Sequence, residues 1–106
     1  MIASLRGKLI YFDESSIVIE CGGVGIKCTV TKQALARLPK VESEVFFHTH
    51  MVVREDAMDL YGFSDIEELN AFKLVTSVNG VGAKMGIALL SQFSASQMLL
   101  YIASGD

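Results

Sequence analysis

The chain has 106 residues, of which 51% are hydrophobic and 20% are charged. This composition excludes an intrinsically disordered segment and allows one full-sized domain, or a small barrel with part of a second unit. Nine basic and twelve acidic residues give a formal net charge of −3, which argues against a generic polybasic nucleic-acid binder without excluding a locally basic site. Cys21 and Cys28 are too few for a disulfide scaffold, and in the absence of a secretory signal we expect reduced thiols in a cytoplasmic protein.

The first 30 residues are predicted to form three strands. A strand-like run covers residues 2–12, and Gly7 inside it predicts a bend or a bulge. Apolar residues then alternate with polar or small ones over residues 17–21 and 24–30, which is typical of half-buried strands. Gly22 and Gly23 between these runs predict a tight two-residue hairpin turn.

A short helix and two more strands complete the first part. Thr31 is the predicted helix cap and Pro39 the predicted stop. Strands are predicted over residues 45–53 and 58–63. Five strands with one helix before the fourth favour a small closed barrel of the OB type, so we expect an OB-fold barrel over residues 1–63.

Residues 64–106 change to a helical period and are predicted to form a small helical region. Ser64 and Glu67 match a capping box at the start of the first helix, which is followed by apolar residues at helical spacing. Two further helices are predicted over residues 83–92 and 95–103, the last with a Ser94–Gln97 capping box and a terminal Gly105. The predicted fold class is therefore α+β in two parts, a five-stranded barrel followed by helices.

An uncharged stretch from Met85 to Gly105 is long enough to span a bilayer. Serine and glutamine residues interrupt it, and the predicted caps divide it into shorter helices. We therefore expect packed helices and no membrane partner.

The strongest local motif is Asn79-Gly80-Val81-Gly82-Ala83-Lys84, between the first two predicted helices. Such a turn exposes backbone N–H groups at a helix N-terminus, where the helix dipole and Lys84 favour an anion such as a phosphate. This is the helix-hairpin-helix pattern, which binds a DNA backbone without reading bases. The alternative is a plain helical hairpin whose glycines serve turn geometry only.

Two adjacent carboxylates, Glu55 and Asp56, lie between the last two predicted strands. Neighbouring strand residues point to opposite faces, so they are a weak catalytic pair, and a solvated turn is the ordinary interpretation.

Other chemistry-bearing residues favour structural roles. His48 and His50 share a strand face, but no third metal ligand lies nearby in sequence, although Glu44 or Asp59 could be supplied by folding. We expect no metal, no cofactor and no catalytic residue. Aromatic residues of the barrel could stack on single-stranded bases, although core or rim packing is the more common role; they are Tyr11, Phe12 and Tyr61.

Several blocks together resemble one family, the bacterial RuvA proteins that bind Holliday junctions during branch migration. The resemblance covers essentially the whole chain. Its most specific blocks are Thr49-His50, Val53-Arg54-Glu55-Asp56-Ala57, Leu60-Tyr61-Gly62-Phe63 and Asn79-Gly80-Val81-Gly82.

The resemblance implies an OB barrel followed by helix-hairpin-helix motifs, and a flat homotetramer that holds an open four-way junction. Glu55 and Asp56 would then be an acidic pin at the junction centre. The residues that would bind the DNA backbone are Asn79, Gly80, Val81, Gly82 and Lys84. Gly86 departs from the pattern, since alanine is common at that place.

The resemblance also implies partners and further segments. In the family, a second helix-hairpin-helix motif and a domain that binds the RuvB ATPase follow, so we expect the chain to represent the N-terminal part of a longer protein. The RuvC resolvase is a further candidate partner. Two other functions stay open, a general OB-type binder of single strands and a purely structural oligomerisation module.

Overall fold

Five strands close into a barrel in the computed structural model, which describes residues 1–104. The strands are β1 (Ser4–Phe12), β2 (Ser16–Cys21), β3 (Val24–Thr29), β4 (Glu44–Arg54) and β5 (Ala57–Phe63). Their order around the barrel is β1, β2, β3, β5, β4, and β4 then pairs with β1. A single parallel pair, Thr29 with Tyr61, joins β3 to β5, whereas all other pairings are antiparallel. The predicted five-stranded OB-type barrel is confirmed.

The barrel is built on the predicted alternation. Leu9, Ile17 and Ile19 point inwards and are fully buried, together with Cys28 and Phe47 from the neighbouring strands. Gly22 and Gly23 form the predicted turn with φ values of +59° and +88°, which residues other than glycine rarely adopt. Burying the apolar face of each strand is therefore what fixes the register of the sheet.

The predicted bend or bulge at Gly7 is wrong. Gly7 pairs regularly with Val45, and the irregularity in β1 lies instead between Leu9 and Tyr11. Gly7 is required for a different reason, because a Cβ atom there would lie 2.1 Å from the backbone oxygen of Glu20. The glycine permits a close approach of two strand backbones.

Helix α1 (Lys32–Ala36) lies before β4, as the sequence predicts, and its Ala34 belongs to the barrel core. The buried Thr31 is its N-cap, and its hydroxyl accepts the Ala34 N–H at 3.1 Å. The helix ends well before Pro39.

Three helices follow the barrel: α2 (Ile66–Thr76), α3 (Ala83–Gln92) and α4 (Ala95–Ala103). The predicted Ser94–Gln97 capping box of α4 is confirmed. The predicted cap of α2 is wrong by one residue, because Asp65 accepts the Glu68 N–H at 2.8 Å while Ser64 donates its hydroxyl to the Glu68 carboxylate. Asp65 is as good a cap as serine, and its charge also complements the helix dipole. The predicted terminal Gly105 lies outside the described residues.

Phe72 of α2 makes the aromatic contacts by which the helices pack on the barrel. Its centroid lies 5.3 Å from that of Tyr61, 4.9 Å from that of Phe63 and 5.9 Å from that of His50. Gly86 of α3 lies on the other side, where an added Cβ would be 3.1 Å from the Phe72 ring and 2.9 Å from the Thr76 methyl group. This close approach explains why glycine occupies that position. The division into domains at residues 63 and 64 stays a prediction, since this hydrophobic cluster contains residues of both parts.

We expect Gly7→Ala to destabilise the barrel by about 3 kcal/mol, because the new methyl group meets backbone atoms that cannot rotate away. Chemical denaturation monitored by circular dichroism measures the loss. Gly25→Ala is the matched control, since its Cβ would meet only side-chain atoms of Val18 and Ile10. Equal stability of the Gly7 variant and the parent chain would contradict the close approach.

Candidate nucleic-acid interface

The acidic pair occupies the tip of a projecting hairpin. Arg54 pairs with Ala57, so Glu55 and Asp56 are the two residues of the turn between β4 and β5, and both are exposed. Next to them, Val53 is 58% and Met58 72% exposed, which shows that the end of the hairpin extends beyond the core. The tip therefore presents two carboxylates to whatever approaches the molecule from this side.

The two carboxylates are not neutralised within the described part of the chain. The nearby cation, Arg54, pairs with Asp59 at 3.5 Å, and neither Glu55 nor Asp56 belongs to an ion pair. The tip thus has two uncompensated negative charges, which repel a phosphate backbone. Two further ion pairs lie near the opposite end of β4, between Arg6 and Glu44 and between Lys8 and Glu42.

The glycine turn connects α2 to α3. Helix α2 ends at Thr76, and the Val81 N–H donates to the Val78 carbonyl at 3.1 Å to close the turn. Val81 packs against the helical core, whereas Asn79 and Lys84 are exposed. One residue thus anchors the turn while its neighbours face solvent.

The two glycines of this turn differ in what requires them. Gly80 has a φ of +86°, so the backbone conformation itself favours glycine there. Gly82 has a φ of −88° and open space where a Cβ would lie, so neither conformation nor packing requires glycine at that position. Turn geometry accounts for Gly80 only.

Gly82 is the N-cap of α3 and provides no side-chain acceptor for the first N–H groups of the helix. Serine or aspartate at this position would accept one of those N–H groups. With glycine, the first N–H groups of α3 have no side-chain acceptor and lie at the positive end of the helix dipole. Lys84 is exposed in the same first turn. This arrangement can bind an anion.

The structure brings the acidic hairpin and the glycine turn to one groove. A cavity of about 280 Å³ is lined by Val52 and Arg54 from β4 and by Val81, Gly82 and Ala83 from the turn, with Phe72 and Thr76 of α2 completing its wall. The sequence does not reveal this proximity, nor that Arg54 lies on the groove, because about 30 residues separate the two segments.

The remaining candidate residues of the barrel differ in burial and contacts. The described residues contain no group of three His, Cys, Asp or Glu side chains that could hold a metal ion. His50 packs edge-on against Phe72, and burial, with a smaller contribution from Lys73, lowers the pKa of its ring. Burial raises the pKa of the Cys28 thiol to about 12, so this cysteine stays protonated. Tyr61 is a core residue, whereas Tyr11 and Phe12 are about half exposed.

The uncharged C-terminal stretch is folded as two helices. Within residues 1–104, no single helix is long and apolar enough to cross a membrane. Helices α3 and α4 reach that length only together, and they are bent by 113° relative to each other.

Comparison with known proteins gives consistent matches. The family model of the RuvA N-terminal domain matches residues 1–62. A protein of Rubrobacter xylanophilus is 45% identical over all 106 residues of the chain, which cover 54% of the relative. Proteins of Colwellia psychrerythraea and Vibrio cholerae are 42% identical over the same 106 residues, covering 50% and 52% of their lengths. All three are named Holliday junction branch migration complex subunit RuvA, and the chain spans about half the length of these curated relatives.

We expect opposite effects on stability from substitutions at the two glycines of the turn. Gly80→Ala places a side chain in the left-handed region and should cost about 1–2 kcal/mol. Gly82→Ser adds a capping hydroxyl in open space and should stabilise α3 by about 0.5 kcal/mol. Thermal unfolding of both variants beside the parent chain measures these changes. A large destabilisation by Gly82→Ser would show that Gly82 is needed for folding.

Proposed function

The chain belongs to the RuvA N-terminal domain family, and from this membership we propose that it binds four-way junction DNA as part of a branch-migration complex. In this proposal the glycine turn holds the phosphate backbone, and the acidic tip lies at the point where the strands exchange. The observation that carries it is Gly82. Neither folding nor packing requires glycine there, and its effect is to leave anion-binding N–H groups free.

Contact with the backbone would be independent of sequence. Free N–H groups of Ala83, Lys84 and Met85, together with the Lys84 ammonium group, are suited to phosphate oxygens. The exposed Asn79 and Gly80 would approach the same strand, with Val81 anchoring the turn beneath them. A site of this kind binds a DNA shape and does not read bases.

The acidic tip would act by repulsion. Glu55 and Asp56 directly follow Arg54, which lines the groove shared with the turn, so their charges would repel a phosphate backbone that approaches the tip. In a homotetramer, four such tips would meet at the centre of an open junction and keep the separating strands apart. The net charge of −3 agrees with this mechanism, because part of the acidity faces the DNA.

The chain would itself be non-catalytic. The motor activity would reside in the RuvB ATPase, which a further domain of the full-length protein would bind, and RuvC resolvase would be a later partner on the same junction. Such a complex acts on chromosomal DNA, so the protein would work in the cytoplasm.

A binding comparison tests the proposal. Band shifts on a four-way junction, on linear duplex and on single strands of the same sequence, at two salt concentrations, should show preference for the junction. Equal or better binding to single strands would favour a general OB-type binder. Formation of an oligomer that does not bind DNA would favour a purely structural oligomerisation module.

Lys84→Ala should weaken junction binding equally for junctions of different base sequence. Loss of one phosphate contact should lower the salt slope by about one unit. Gly82→Ser, which is expected to preserve the fold, should also weaken binding, because its hydroxyl would accept one of the free N–H groups. Fluorescence anisotropy across a salt series measures both effects, and a loss that depends on base sequence would contradict backbone binding.

Neutralising the tip with Glu55→Gln and Asp56→Asn should leave the melting temperature unchanged and tighten junction binding severalfold. The fold is expected to persist because both side chains are exposed and unpaired within the described residues. The control is the double variant Glu42→Gln and Glu44→Gln, which changes net charge equally near the other end of β4. An equal gain in junction affinity in both double variants would contradict a specific role of the tip.

A further inference from the structure

A second groove runs along α3 between this helix and the barrel. It has a volume of about 550 Å³ and shares no lining residue with the groove that contains Arg54. Its charged lining residues are Lys84 from the first turn of α3, Lys32 from the start of α1 and Glu14 from the loop between β1 and β2. All three are exposed.

Lys32 is held in place by the helix that carries Lys84. Its backbone N–H donates to the Ser91 hydroxyl near the end of α3 at 3.1 Å. The preceding residue, Thr31, is buried and caps α1, so the backbone is fixed on both sides of Lys32. The ammonium group of Lys32 therefore extends from a rigid point at the far end of the groove.

The spacing along α3 suits a DNA strand. Lys84 and Ser91 are seven residues apart, which is two helical turns on one face and about 10.5 Å along the axis. That interval is long enough for more than one phosphate of a single strand to lie along α3. A backbone held at the glycine turn can therefore continue along α3 to Lys32.

The chemistry of the groove is that of a phosphate-contact surface. Two lysines against one glutamate give a local charge of +1 in a chain whose net charge is −3. Polar groups of Ser15, Ser91 and Gln92 are also present, and hydroxyl and amide donors of this kind contact phosphate oxygens.

We infer that this groove is a second DNA-backbone contact, in which Lys32 binds a phosphate of the same strand that the glycine turn holds. This inference rests on the proposed function and extends it from the helical turn to the barrel. Glu14 opposes the contact and limits its strength.

Two variants should move junction binding in opposite directions. Lys32→Ala should weaken binding severalfold and lower the salt slope by about one unit, whereas Glu14→Gln should tighten binding. Lys32→Arg should retain the affinity of the parent chain. The matched control is Lys40→Ala, which removes an exposed lysine that does not line the groove. Anisotropy with a four-way junction at 50 and 200 mM salt measures these effects.

Amide chemical shifts of the ¹⁵N-labelled chain, titrated with the same junction at low salt, separate the possible outcomes. We expect changes at Lys32 and Ser91 together with changes over residues 80–85. Changes confined to residues 80–85, with Lys32→Ala behaving like Lys40→Ala, would overturn this inference and leave the proposed function intact. The absence of any change would overturn both.

Discussion

The packing of Phe72 determines how the two parts of the molecule are arranged. Its ring lies against Tyr61 and Phe63 of the barrel on one side and against the backbone of α3 at Gly86 on the other. The glycine turn begins only a few residues after this ring, and the acidic hairpin is formed by the strands that Phe72 covers. This buried contact thus lies between the strands that carry the acidic hairpin and the helices that flank the glycine turn.

Much of the fold follows from local patterns in the sequence. Alternating apolar residues and the Gly22–Gly23 turn predict the barrel strands, because inward burial and positive φ are local requirements. Gly7 shows where such reasoning fails, since it is needed for contact with Glu20, which lies on another strand. The α2 cap fails for a different reason, because Ser64 and Asp65 are both good capping residues and local sequence does not choose between them.

The sequence predicts the motifs of the site separately, but it does not predict how they are placed relative to one another. The acidic pair and the glycine turn are visible in the sequence, and the family resemblance gives each a role. The groove that Arg54 shares with the glycine turn depends on tertiary packing. So does the difference between the two glycines, since the backbone conformation requires glycine at Gly80 and not at Gly82. Lys32 belongs to no recognisable sequence motif. Its position beside α3 follows from one hydrogen bond to a residue 59 positions away.

In the proposed function, copies of this chain surround a junction and hold it by its backbone. Native mass spectrometry of the chain with an immobile four-way junction, beside linear duplex of the same sequence, tests this most directly. We expect complexes of four chains per junction that are absent on the duplex and that dissociate as salt rises. Single chains bound equally well to junction and duplex would contradict it.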